Sequence, residues 1–266
     1  MDLGIRGKTA VVCAASKGLG RGCAEALAEA GVNLVINART AETLEATAKA
    51  IRDAHGVTVE AVACDVTTEA GREETLAAAR KLAGGGEIDI LVNNAGGPPP
   101  GMWTDWDESD WHKAINANML TPIALMKAVL PGMMEAGWGR VINITSVSVK
   151  APIAVLGLSN ASRAGLTGYV AGTSRQVAPK GVTINNLLPG THDTDRIRGV
   201  DQGTVKSSGK SLEQVQTERA AAIPVGRYGT SEEFGKACAF LASVHAGFIV
   251  GQNWVLDGGQ TNATIW

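Results

Sequence analysis

Aromatic side chains are scarce in this chain: 6 Trp, 3 Phe and only 2 Tyr among 266 residues. Chemistry that needs a phenol therefore has two places to find one, Tyr169 and Tyr228. Prolines number 9, and the 33 glycines keep no triplet period, which excludes collagen-like and low-complexity structure. The four cysteines (Cys13, Cys23, Cys64 and Cys238) are scattered without paired ligand spacing. Buried free thiols in a reducing compartment are expected, with neither disulfides nor a metal. Lys and Arg total 24 against 26 Asp and Glu, a net charge of -2 without runs of either sign, so no face is built for nucleic acid. No uninterrupted apolar stretch approaches the ~20 residues a membrane span needs, and no basic-then-apolar leader opens the chain. A cytoplasmic protein with no membrane partner is the expectation.

Small residues are abundant. Glycine is about 12% of the chain against a usual ~7%, and 45% of residues are hydrophobic. A chain of this mass buries about 70% of its extended surface on folding, enough for one large core. Short apolar runs alternate with helical patterns. Strands are expected at 9–14, 33–37, 57–64 and 88–92, then at 139–145, 182–188 and 254–256. Helices are expected from Cys23 to Ala30, up to Gly56, up to Leu82, from Trp106 to Met134 with a break near Pro122, from Asn160 to Val177 and from Ser231 to Leu241. Periodicity fades from His192 to Ala222, apart from a short helix at Leu212–Ala221. This rhythm is that of a parallel α/β sheet with helices on both faces, in one domain spanning 1–266. The weakly patterned segment 191–223 is long for a connection and reads as a substrate-covering lid.

The first strand turns into a helix through Ser16-Lys17-Gly18-Leu19-Gly20, with Gly22 close behind. Glycines at such a turn let the backbone approach a phosphate and open the helix N-terminus to its charge. About 20 residues on, at the end of the second strand, stands Arg39, followed by Thr40. An acid there would accept both ribose hydroxyls of NAD, whereas Arg39, with Lys17, would attract the 2′-phosphate of NADP. NADP(H) is therefore favoured over NAD(H). Asp65, before Val66, follows the third strand and either accepts from an adenine amino group or caps a helix.

These motifs, with Asn93-Asn94-Ala95-Gly96 after strand four, Pro189-Gly190 and Thr194 after strand six, and Asp257-Gly258-Gly259 near the end, resemble the short-chain dehydrogenase/reductase family. Within it they resemble the 3-oxoacyl-acyl-carrier-protein reductase-like branch, from about Leu3 to Gly259. The resemblance implies a three-layer Rossmann fold with a seven-stranded parallel sheet, and commonly a homotetramer. It assigns cofactor contacts to the glycine turn, Asp65, Val66, Asn94, Ala95, Gly96, Pro189, Gly190 and Thr194. It places the family's active-site asparagine on Asn118 and its catalytic serine on Ser146.

The pattern then breaks. Where the family has tyrosine and, four residues later, lysine, this chain has Ser159 and Arg163. A phenol protonates the alkoxide formed by hydride transfer, and the neighbouring ammonium lowers its pKa. A serine hydroxyl titrates far above the phenol's ~10 and is too short to reach the same point. Arg163 can hold ribose hydroxyls and supply positive potential, but it does not shuttle protons at neutral pH. Tyr169 lies on another face of the same helix, and Tyr228 lies beyond the weakly patterned segment.

Around this gap, Ser148, Lys150 and His192 fall in loops at the carboxyl ends of strands and are candidates for substrate contact or proton donation. Lys150, Arg196 and Arg198 are alternative anchors for a phosphate, carboxylate or acyl-carrier group. Pro98, in Gly97-Pro-Pro-Pro-Gly101, stiffens one edge of the expected pocket, and Trp103 and Trp106 either wall an apolar substrate or cover the domain edge. Three functions remain open: an oxidoreductase acting on a carbonyl/alcohol pair (a small molecule or acyl thioester), a non-redox enzyme on the same scaffold, and a silent nucleotide-binding subunit. A homo-oligomer, tetramer or dimer, is expected.

Overall fold

The computed structural model describes residues 1–262, so the last four residues of the expected 1–266 domain lie outside the described residues. Seven parallel strands form one sheet in the order β3-β2-β1-β4-β5-β6-β7. They are β1 (Thr9–Val12), β2 (Asn33–Ala38), β3 (Val59–Ala63), β4 (Ile90–Asn93), β5 (Gly139–Ile144), β6 (Val182–Pro189) and β7 (Asn253–Leu256). Alternate side chains of each central strand feed opposite layers, which explains the near-continuous apolar runs. Ala10, Val12, Leu34, Ile36, Ile90 and Val92 join one core, packed beneath α1 (Gly18–Glu29), α2 (Ala41–His55) and α9 (Ser231–Leu241). Val11, Val35, Leu91, Val141 and Ile184 join the other, beneath α3 (Glu69–Leu82), α5 (Thr121–Glu135) and α6 (Gly157–Val177). The fold is the three-layer Rossmann arrangement with all strands parallel.

Strand order reverses between β1 and β4, and the crevice beyond their carboxyl ends is where such sheets bind ligands. A buried ladder of asparagines braces this end. Asn93 Nδ2 donates to Asn143 Oδ1 at 2.8 Å, Asn143 Nδ2 to Asn186 Oδ1 at 3.1 Å, and Asn186 Nδ2 to Asn253 Oδ1 at 2.8 Å. The four residues are register partners across β4, β5, β6 and β7, so one row of amides ties four strands together.

Several boundaries differ from the sequence expectations. Helix α1 begins at Gly18 rather than Cys23, taking the glycine turn into its first turn. Gly22 belongs to packing, since a Cβ there would stand 2.7 Å from the Ser231 carbonyl carbon at the start of α9. The Trp106–Met134 stretch does not break at Pro122. Helix α4 (Glu108–Ile115) passes through a π-helical turn at Asn116–Leu120 into α5, and Pro122 comes just after that turn, where the hydrogen-bond ladder changes register. The segment 191–223 is more regular than expected: α7 (Asp195–Ser208) precedes α8 (Leu212–Ala221). Among the described residues no helix is long and apolar enough to cross a membrane. Cys13, Cys23 and Cys238 are buried and Cys64 is half-buried, all as free thiols, and burial pushes Cys13 up to about 12.

Candidate active site

The glycine turn has the geometry of an anion cradle. Lys17 occupies the N-cap position of α1, and no side chain caps the first turn, so its N–H groups face outward. Gly18 takes φ +59, a left-handed conformation that favours glycine. A Cβ on Gly20 would collide with the Ala14 carbonyl and stand 2.8 Å from Asn94 Nδ2. Asn94 Nδ2 donates to the Ala14 carbonyl at 3.4 Å, which joins the turn to the segment after β4. Ser16 is fixed through its carbonyl, which accepts from Thr47 Oγ1 at 2.9 Å. These features fit a bound pyrophosphate: open helix N–H groups, a left-handed glycine and a backbone surface with no room for a methyl.

Arg39 and Thr40 are exposed just past β2. Asp65 does not cap α3; that role belongs to Thr68, whose side chain accepts from Gly71 N. Asp65 Oδ1 instead accepts from Thr67 N at 2.9 Å. That bond and then the Arg39 charge hold the Asp65 carboxyl below its usual range, against a partial opposing effect of burial. Arg39 and Asp65 thus sit close together, and Val66, next along the chain, is buried.

A narrow cleft is lined by Asn93, Asn94, Ala95, Asn118, Ile144 and Arg163 among others. The π-helical turn delivers Asn118 to it. Its Nδ2 donates to the Ala114 carbonyl at 3.2 Å, while its buried Oδ1 has no partner among the described residues. The widened turn is the local distortion that turns this amide inward. At the end of β5, Ser146 Oγ accepts from Ser148 N at 3.1 Å, and Ser148 Oγ is buried without a partner. Ser159 and Arg163 occupy one buried face of α6, a turn apart. Arg163 Nη1 donates to the Ile144 carbonyl at 2.7 Å. Burial, and then the nearby Arg196 charge, pull its pKa down to about 10, so it remains a cation at neutral pH.

Other predicted residues divide. Thr194 is the N-cap of α7, and with Gly18 it lines a cleft at the head of α1. Lys17 Nζ lies 3.1 Å from Asp195 Oδ2, an exposed ion pair joining the glycine turn to α7. Gly190 N donates to the Leu256 carbonyl at 2.9 Å, fixing the Pro189-Gly190 turn against β7. Pro98 is buried, and Gly96 is exposed beside it. Lys150 is half-buried at the end of a tight turn, and Trp103 is largely exposed. Trp106 packs against the start of α6, with a Cβ on Gly157 set to stand 2.6 Å from its ring.

His192 is a correction. It is 5% exposed, and its ring meets Phe234 edge-on at 5.3 Å. A loop position suggested a solvated base, but the carboxyl end of β6 turns this ring into the core. Burial lowers its pKa, against smaller opposing effects from Gly190, Glu233 and Asp257. Neither tyrosine enters the site. Tyr169 packs against the second core, and Tyr228 donates to Asp201 Oδ2 at 3.1 Å. Asp201 is fully buried on α7 and also accepts from Arg219 Nε at 2.7 Å. Sequence reasoning missed this triad, because a charge inside a polar helix reads as solvated.

A family model described as Enoyl-(Acyl carrier protein) reductase matches residues 13–261. The chain belongs to the short-chain dehydrogenase/reductase family. It is 35% identical over 258 residues to the 3-oxoacyl-(acyl-carrier-protein) reductase FabG of Vibrio cholerae, covering 97% of this chain and 99% of that one. It is 34% identical over 263 residues to the Escherichia coli protein of the same description, at the same two coverages. Among solved structures it is similar to L-sorbose reductase from Gluconobacter frateurii complexed with NADPH and L-sorbose. That likeness has TM-score 0.93 and 28% identity, over 99% of this chain and 100% of the other. It is also similar to the actinorhodin polyketide ketoreductase with NADPH, TM-score 0.91 and 29% identity, over 97% and 98%.

Proposed function

We propose that this protein is an NADP(H)-dependent oxidoreductase that interconverts a ketone and an alcohol without the family's tyrosine–lysine pair. The observation that carries this reading is the uncapped head of α1 behind a left-handed glycine, with Lys17 and Arg39 as cations and no acid at the end of β2. NADPH in the L-sorbose reductase and ketoreductase structures supports the same preference. The pyrophosphate would lie on Ser16, Gly18, Leu19 and Gly20, and the 2′-phosphate between Lys17, Arg39 and Thr40. Asp65 and Val66 would flank the adenine. Asn94, Ala95, Gly96, Arg163, Pro189, Gly190 and Thr194 would hold the nicotinamide half.

The nicotinamide, when bound, gives or takes a hydride. This chain's own groups handle the rest. Ser146 donates a hydrogen bond to the substrate oxygen. Arg163 holds ribose hydroxyls and places positive potential where negative charge develops on that oxygen. Asn118 Oδ1 accepts from a water that, past Ser159, gives a proton to the alkoxide and regains one from solvent. Ser148, Lys150, Pro98 and Trp103 border the substrate side. Helices α7 and α8 act as the lid over 191–223, tied to the glycine turn through Lys17 and Asp195. A cytoplasmic homo-oligomer, tetramer or dimer, completes the reading.

Calorimetric titration tests it. NADPH is expected to bind saturably and more tightly than NADH, with the preference shrinking in Arg39→Ala. Absence of saturable NADPH binding would overturn it.

A further inference from the structure

Helix α7 carries two arginines with opposite fates. Arg198 is neutralised: its Nε donates to Asp193 Oδ1 at 2.9 Å and its Nη1 lies 3.6 Å from Asp195 Oδ1. Arg196 has no carboxylate within ion-pair distance among the described residues. Its guanidinium lies over the backbone after β4, with Nη2 donating to the Pro98 carbonyl at 3.2 Å. The packing is close. A Cβ on Gly97 would stand 2.5 Å from Arg196 Cζ and 2.6 Å from its Nη2, so only glycine leaves room for the guanidinium there. More than a third of Arg196 remains open to solvent, so its other donors are available to a ligand.

Arg163 is 7% exposed and likewise has no carboxylate partner among the described residues; its guanidinium donates to the Ile144 carbonyl. Neither guanidinium has a carboxylate partner among the described residues, and the Arg196 charge is near enough to disfavour that on Arg163. A buried charge without an opposite partner is costly. Arginine forks match carboxylates in plane and in spacing, and such bonds are roughly twice as strong as neutral ones. Arg198, the other arginine of α7, is already engaged by Asp193. Arg196 is therefore the arginine of that helix left open to a ligand.

We propose that the substrate is an oxo acid, a ketone carrying a carboxylate, with Arg196 as the carboxylate anchor and Arg163 adding positive potential from below. Met102 and Trp103, both exposed a few residues beyond Pro98, suit an apolar remainder of such a molecule. This rests on the ketone–alcohol reading and names the substrate class within it. It also separates the roles of the two arginines: Arg163 serves the cofactor and the reacting oxygen, and Arg196 serves substrate choice. A neutral acyl thioester would leave Arg196 without a partner.

The test compares 2-oxo and 3-oxo acids (2-oxobutyrate, benzoylformate, acetoacetate) with their methyl esters by NADPH consumption. Wild type, Arg196→Gln and Gly97→Ala are run in parallel. Acids should exceed esters in kcat/KM by roughly 10–100-fold, the worth of a charge-assisted pair. Arg196→Gln should remove that preference, lowering kcat/KM for the acids by about tenfold or more and for the esters by less. Gly97→Ala, which displaces the guanidinium but keeps the charge, should weaken the preference too. Calorimetry with oxamate and neutral oxamide gives a readout independent of turnover: oxamate alone should bind, and Arg196→Gln should weaken it about tenfold or more. Equal turnover of acids and esters, or equal binding or no binding of the two amides, would overturn the oxo-acid assignment while leaving ketone reduction standing. Lack of NADPH binding would instead defeat the functional reading, and oxamate binding would still report on the anion site.

Discussion

Replacing Gly20 by alanine puts the whole cofactor cradle to the test at one atom. The added methyl would overlap the Ala14 carbonyl, lie 3.0 Å from its carbon, and stand 2.8 Å from Asn94 Nδ2. Two of these neighbours are backbone, so relief requires moving the β1–α1 turn, and the movement breaks the Asn94–Ala14 hydrogen bond. Overpacking of this kind costs about 1–3 kcal/mol, and the lost buried bond about 1 kcal/mol more. At roughly 2–4 °C per kcal/mol for a chain of this size, the melting temperature should fall by about 4–16 °C. NADPH affinity should weaken further than stability alone requires, by about tenfold or more, because the displaced amides are those facing the phosphate. Gly203→Ala is the control. That glycine lies in α7 with nothing within 4 Å of a Cβ, so alanine should stabilise by about 0.5–1 kcal/mol. A Gly20→Ala protein that melts within about 1 °C of wild type and binds NADPH normally would refute the cradle geometry.

Three further outcomes follow from particular contacts. Asn143→Ala cuts the amide ladder at its middle and leaves Asn93 Nδ2 and Asn186 Oδ1 without partners. A loss of about 2–4 kcal/mol is expected in denaturant unfolding, and a loss below about 0.5 kcal/mol would show that the ladder contributes little. His192 has a lowered folded-state pKa, so the unfolded chain binds its proton more readily. Stability should therefore fall as pH drops from about 6.5 toward that lower value. His192→Asn should flatten this slope, and an unchanged slope would assign it elsewhere. Asp201→Asn removes the charge that Arg219 and Tyr228 share. Amide exchange across 195–221 should accelerate while β1 and β4 stay protected, and uniform protection would contradict the tie.

The sheet was legible because its strands are buried on both faces. Val11 and Leu91 face one core while Val12 and Val92 face the other, so each run is apolar throughout. The glycine turn and Arg39 could also be read directly, since backbone approach to a phosphate leaves few residue choices. Helix α7 could not: Asp201 is its single fully buried position, it contains Gly199 and Gly203, and it is held by polar ties to Arg219 and Lys17 rather than by an apolar stripe. The π-helical turn left no mark in hydrophobic period, and Pro122 drew attention to the wrong place. His192 was misread because loop membership says nothing of which way a ring turns. Arg196 stood among several cations in the sequence, and only the carboxylates beside Arg198 and Lys17 single it out.

The central claim is hydride transfer without a phenol. The most direct measurement uses NADPH deuterated at the transferable position, a carbonyl substrate from the oxo-acid series, and mass spectrometry of the alcohol. One deuterium is expected on the former carbonyl carbon, with the rate sharply reduced by Ser146→Ala and little changed by Tyr169→Phe or Tyr228→Phe. Label that never reaches the product while NADPH binds saturably would contradict it, and a rate abolished by Tyr228→Phe would relocate the proton donor.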